Sequence, residues 1–278
     1  MANLATVQQM LGDLTPADFI CLPRDARDKV YQRHLVKTTG HVIIDEADDD
    51  DSLNPTIAKG VILRQEYFVG SDVAGCQIAE EARETYYTQN SFQVRSHWLC
   101  EFLSDSLANG ESVPVEGLIR KITVMVDLQH PWEAGAFTSK LKNKKDKGKP
   151  EAVCDLEHLL KLKKAEWIGI KIEGGGAIDG SDLKTQQKIK EICNIIKKLI
   201  DQFGGRFTIA KVRRSGGPFD AICHDIKAYW KRPTDQAKKR LQNGAALFEE
   251  IMQIQIEEWM RKVSRTITEE DLYWESLL

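Results

Sequence analysis

WIGIKIEGGGAIDGSDLKTQQKIKEICNIIKKLIDQFGGRFTIAKV, residues Trp167–Val212, decides the class of fold. Its opening, Trp167–Ile172, is aromatic and β-branched and reads as a strand. Ile189, Ile192, Ile196, Leu199 and Phe203 then recur at three- and four-residue steps, while Lys188, Lys190, Lys197 and Lys198 take the other side. That is the pattern of an amphipathic helix. Gly204-Gly205 stops it, and Phe207–Val212 is a second strand. A strand, a long helix and a strand cannot form a tight hairpin. They imply parallel pairing through a right-handed crossover.

Working outward, Ile119–Val126 (IRKITVMV) alternates and is rich in β-branched residues, so it supplies a third strand. Cys154–Leu162, with Leu156, Leu159, Leu160 and Leu162, supplies the helix before Trp167. The expectation is an α/β fold in which the three strands are parallel neighbours in a βαβαβ sheet. A leucine-rich-repeat-like stack is the alternative arrangement, although no fixed repeat period supports it. Lys140–Lys149 (KLKNKKDKGK) holds six lysines and one acid, reading as an exposed insertion rather than a localisation signal or phosphate patch. No aromatic in that run can stack a base, so nucleic-acid binding is the weakest of the functional readings. Downstream, Arg213–Pro218 is a turn, and Asp220–Trp230 and Thr234–Val263 are expected as helices, the second interrupted near Gly244. Thr268 starts a terminal helix.

Upstream, Ile78, Ala79, Ala82 and Tyr86 give a helix opening at Val73 or Cys76 and stopping at Asn90. Phe92–Arg95 alternates as a short strand, and Ser96 caps a helix reaching Leu107. Thr15-Pro16 and Leu22-Pro23 each start a helix, the second running to Leu35 with Val30, Tyr31, His34 and Leu35 on its inner side. His41–Ile44 is a short strand leading into Asp45–Asp51, a solvated acidic loop, and Ile57–Leu63 continues as an extended segment. Residues 1–113 form a helical and mixed part, and residues 114–278 form the α/β part with long C-terminal helices.

Leu22, Pro23, Arg27, Val30 and Tyr31, followed by Ala79, Glu81, Ala82, Tyr86, Tyr87, Asn90 and Phe92, carry a resemblance. This pattern is similar to that of a large group of fungal F-box-like proteins, with a Leu-Pro opening, an Ala/Glu helix and an aromatic run ending in Asn-x-Phe. Asp25 and Ala26 stand where that family has a Glu-Leu pair. The likeness covers roughly the N-terminal third closely. It implies an F-box-like helical N-terminal part and a protein partner: Leu22, Pro23, Arg27, Val30 and Tyr31 would dock on a small adaptor of a ubiquitin ligase. The C-terminal part would then choose a target.

The 278 residues are 42% hydrophobic and 29% charged, with a net charge of −3, the composition of an ordinary soluble chain without global attraction to nucleic acid or anionic membrane. Met1–Leu11 lacks the layout of a secretory signal, and no apolar run approaches the ~20 residues of a membrane span. The six cysteines (Cys21, Cys76, Cys100, Cys154, Cys193 and Cys223) form no CxxC pair and are expected as buried free thiols, pointing to the cytoplasm or nucleus.

Catalytic signatures are absent. Gly174-Gly175-Gly176 follows a strand and precedes a helix, but Asp179 stands where the dinucleotide spacing needs Gly, so a flexible turn is expected. Cys223-His224-Asp225 falls on an expected helix, where neighbours point about 100° apart and cannot converge. The six histidines show no zinc spacing, and neither a metal nor a cofactor is implied. Asp127, His130, Glu173 and Arg213 would gather at the carboxyl ends of the parallel strands, where α/β sheets place ligands. They form the candidate edge for a small molecule or an enzymatic reaction, the rival to protein–protein recognition.

Overall fold

The computed structural model describes residues 9–44, 46–47, 50–53, 73–104, 114–128, 156–214 and 221–275. The expected extended segment at 57–63, the lysine run at 140–149, Cys154 and Leu107 lie outside them. The chain is an α/β protein. It divides into two compact units, 1–125 with 158–168 and 126–157 with 169–278.

The first unit begins with α1 (Pro16–Ile20), in which Thr15 and Asp18 form a reciprocal capping box. Pro23 launches α2 (Arg24–Leu35). β1 (Val42–Ile44) precedes an antiparallel pair, β2 (Glu46–Ala47) with β3 (Asp50–Leu53). The acidic stretch expected as a loop is therefore partly a two-stranded ribbon, because backbone pairing does not require the carboxylates to be buried. The long α3 (Val73–Gln89) ends at Asn90, as its sequence predicts. The Asn90 amide donates to Tyr86 O and to Leu35 O, each at 2.9 Å, and its oxygen accepts Lys37 N–H at 2.8 Å. One side chain thus joins the carboxyl ends of α2 and α3.

β4 (Ser91–Arg95) pairs parallel with β1, Val42 opposite Phe92. Ser96 does not cap an α-helix: Ser96–Trp98 is a 3-10 turn, and the described α-helix is the short α4 (Leu99–Leu103). β5 (Lys121–Asp127) runs parallel to β4, Ser91 opposite Lys121 and Arg95 opposite Met125. The core here is aromatic. Phe92 lies 5.7 Å from Tyr87 and 5.0 Å from Phe102, ring centre to ring centre. Such contacts add about 0.5–1.5 kcal/mol per pair beyond area burial. Of the helix expected at 154–162, the part described includes a 3-10 turn, His158–Lys161, with Leu159 buried.

β6 (Trp167–Glu173) is followed by α5 (Leu183–Phe203), which buries Ile189, Ile192, Ile196, Leu199 and Phe203, the stripe read from the sequence. β7 (Phe207–Arg214) returns and pairs antiparallel with β8 (Ala221–Asp225), Arg214 opposite Ala221. The order across the six-stranded, mostly parallel sheet is β1-β4-β5-β6-β7-β8. The three strands expected as neighbours are neighbours. Arg120 O accepts Glu166 N–H and Trp167 N–H at one end, and Leu128 N–H donates to Glu173 O at the other, so β5 and β6 run in the same direction. Gly174 N–H donates to Val212 O near the carboxyl ends of β6 and β7.

In the C-terminal region two expectations need correction, and the interruption near Gly244 is found. Asp220–Trp230 is not a helix: its first part is β8, and only Lys227–Trp230 forms a 3-10 turn. All five β8 residues are exposed, so the strand has no buried face and no alternation to betray it. Thr234–Val263 is two helices, α6 (Asp235–Gln242) and α7 (Phe248–Glu275), separated where Gly244 takes a φ of 69°. The helix expected to start at Thr268 is continuous with α7. α7 covers its apolar side by burying Met252 and Ile256 and by packing on α5, α6 and the 227–230 turn. Trp230 Nε1–H donates to Cys193 O at 3.0 Å, pinning that turn to α5.

The cysteine expectation also changes. Cys193 is buried, Cys76 is half-buried, and Cys21, Cys100 and Cys223 are exposed. Cys223 lies on β8, an edge strand whose five residues are all exposed. No helix among the described residues is long and apolar enough to cross a membrane.

Candidate functional site

The strand-end residues gather around a side chain that the sequence reading passed over. Phe207, Ile209 and Lys211 alternate on β7 and all three are fully buried. A lysine in that series is the signal that could have revealed the cluster, since lysine is almost never fully buried without partners. Lys211 Nζ donates to Gly174 O at 2.7 Å and to Gly175 O at 3.1 Å. Burial lowers its pKa, against the opposing pull of the Asp182, Glu173 and Asp127 carboxylates, while Arg213 lowers it further. Asp127, Glu173 and Arg213 each act electrostatically on Lys211. His130 lies outside the described residues.

The glycine loop after β6 is built around Asp182 rather than around a phosphate. Asp182 caps α5, accepting Thr185 N–H at 3.0 Å, Thr185 Oγ1–H at 2.7 Å and Ala177 N–H at 3.2 Å. Gly176, at φ 92°, approaches so closely that a Cβ there would lie 2.4 Å from the Asp182 carboxylate. The helix N-terminus that would attract an anion already faces a fixed negative charge. Burial alone would raise the Asp182 pKa, but the Thr185 hydrogen bonds, the Lys211 charge and the Ala177 N–H outweigh it and hold it below its ordinary value. Cys223, His224 and Asp225 lie on a strand rather than a helix, so His224 points opposite to its two neighbours and the three still cannot converge. No group of three or more His, Cys, Asp or Glu among the described residues could hold a metal ion.

The second candidate surface lies on α2. Arg27 and Tyr31 point inward, into a buried network centred on Glu81 of α3. Arg27 Nε–H and Nη2–H donate to the two Glu81 oxygens at 2.8 and 2.6 Å, and Tyr31 Oη–H donates to Glu81 Oε2 at 3.1 Å. Gln77 Nε2–H adds a bond of 2.9 Å, and Arg27 also reaches Ile20 O and Leu22 O. Burial would raise the Glu81 pKa, but the hydrogen bonds from Arg27, Gln77 and Tyr31 prevail and hold it at about 2. Burial, reinforced by Glu81, raises the Tyr31 pKa.

Leu22 and Val30 are different: both are half-buried and line an open groove of about 390 Å³. Its apolar wall also includes Met10, Leu11, Leu14 and Phe19, and Lys29, Arg33 and His34 of α2 complete one side. Leu14 is 42% exposed within it. Phe19 fixes α1 against α2 through an edge-to-face contact with Tyr31 at 5.8 Å. Pro23 stands exposed at the start of α2. Of the five residues expected to meet a partner, two therefore line a surface groove, two hold α2 on α3, and one begins the helix.

Comparison of the chain with family profiles, with curated proteins and with solved structures finds no match in any of the three.

Proposed function

We propose that this protein is a protein–protein recognition module whose docking element is α2. The observation that supports the reading is the groove at Leu22 and Val30: an apolar surface left open on a helix whose adjoining side is tied down by Arg27 and Tyr31. A helix fixed along one side can present the neighbouring side without reorganising, which reduces the ordering cost of association. In the finer form that the F-box-like resemblance implies, the partner is a small adaptor of a ubiquitin ligase and the protein works in the cytoplasm or nucleus. The Lys211 cluster supports a structural role instead, because its ammonium group holds the turn between β6 and α5 through backbone carbonyls.

Val30→Asp tests the proposal. A half-buried groove residue can become charged at modest folding cost, whereas a core position cannot. Capture of the partner from native cells, read by mass spectrometry, is expected to be lost while the thermal midpoint stays within roughly 5 °C. Undiminished capture, or collapse of the fold, overturns the docking role. If the wild-type protein captures partners but no ubiquitin-ligase adaptor, the finer form falls and the broader one stands.

A further inference from the structure

Charge around the α2 groove is one-sided. Lys29 and Arg33 stand one helical turn apart on its side, with His34 beside them, and no carboxylate is among the described residues that line it. Among the described residues none pairs with Lys29, Arg33 or His34, whereas Arg24, on the same helix, is engaged by Asp28, Glu81 and Glu84. The chain as a whole is acidic, at −3, so this patch opposes its net charge. Complementary charge at the rim of an apolar groove sets partner choice and encounter rate.

Resting on the reading of α2 as a docking element, we propose that the groove takes an acidic amphipathic helix from a protein partner. Apolar side chains at a three- to four-residue spacing would enter beside Val30, Leu22 and Leu14, and carboxylates on the flank would meet Lys29 and Arg33. Helix-in-groove recognition uses this division: apolar anchors supply affinity, and flanking charges select the partner. A small apolar acid is the poorer fit, since pockets for such ligands enclose most of the ligand surface. This groove is open, with Leu14, Lys29 and Arg33 exposed.

The test uses the full chain and three fluorescent helical peptides of about four turns each. All share a Leu stripe at four-residue spacing, and their flanking positions carry Glu, Gln or Lys. Anisotropy is expected to show the Glu peptide binding roughly tenfold more tightly than the Gln peptide, with a preference that weakens as salt shortens the Debye length. Lys29→Glu with Arg33→Glu should reverse the order and favour the Lys peptide, while Lys29→Gln with Arg33→Gln should remove the preference. Circular dichroism checks that both double variants fold. Equal binding of the Glu and Gln peptides overturns the acidic assignment, and so does displacement of bound Glu peptide by dodecanoate at lower concentration than by unlabelled peptide. If no peptide binds while Val30→Asp still abolishes capture from cells, this inference falls and the docking role survives. If no peptide binds and Val30→Asp changes nothing, both fall together.

Discussion

Arg27 and Lys211 are both buried cations, and the chain accommodates them in opposite ways. Arg27 meets a carboxylate through two parallel bonds, and hydrogen bonding to Glu81 raises its pKa despite burial. Lys211 meets two carbonyl oxygens, has its carboxylates only as electrostatic neighbours, and has its pKa lowered by burial. A planar guanidinium matches a carboxylate edge to edge, whereas an ammonium can organise a turn by collecting carbonyls from successive residues. The first arrangement clamps two helices. The second shapes the loop between β6 and α5.

The variant expected to cost most is Glu81→Ala. It leaves Arg27 buried without its carboxylate, and such a loss is about 3–5 kcal/mol, readable from urea unfolding at neutral pH. Gly176→Ala should cost about 2–3 kcal/mol, because it combines a positive φ with a Cβ driven into Asp182. Lys211→Met should cost about 1–2 kcal/mol: two carbonyls lose their donor, but a buried charge is relieved. A Lys211→Met variant as damaged as Glu81→Ala would break the contrast between clamp and loop organiser.

A separate readout is the slope of stability against pH. Glu81 titrates at about 2 in the native state against an ordinary 4.5, so its stabilisation is complete above pH 4.5 and lost as the pH falls towards 2. Glu81→Gln should flatten that acid limb. Lys211 is lowered from an ordinary 10.5, so the native state releases its proton before the unfolded chain does. Wild-type stability should therefore rise relative to Lys211→Met as the pH climbs towards 10.5. Urea midpoints measured across pH for the three proteins check both limbs, and an acid limb identical in Glu81→Gln and wild type would remove Glu81 as its source.

What the sequence revealed and what it concealed follow from burial. β5, β6, β7 and α5 are legible because burial demands apolar residues: β5 and β6 are buried on both faces and read as apolar runs rich in β-branched residues, whereas β7 and α5 show a period of two and of about three and a half. β8 has no buried side and therefore no period. The buried Ile226, Tyr229 and Trp230 belong to the residues after it. The division of labour on α2 was hidden as well, since a Leu-Pro opening and an apolar stripe do not say which residues turn inward. The resemblance places Arg27 and Tyr31 at a partner along with Val30, and only the position of Glu81, 54 residues beyond Arg27, separates them. Lys211 stands in register with Phe207 and Ile209 in FTIAKV, where a lysine on the inner side marks a buried cation with partners.

The Asn90 side chain has a dynamic consequence. Its amide holds carbonyls at the ends of α2 and α3, and its oxygen holds the Lys37 amide proton, so the last turns of these helices share one fastener. Helix ends ordinarily fray one by one, each at its own low free energy. Here the Lys37 proton can exchange with solvent only when the Asn90 bond opens, and that event loosens the Leu35 and Tyr86 ends together. The two helices, distant in sequence, should behave as one cooperative unit at this end. The groove residues Lys29, Val30, Arg33 and His34 belong to these last turns of α2, so the fastener steadies the stretch that carries them.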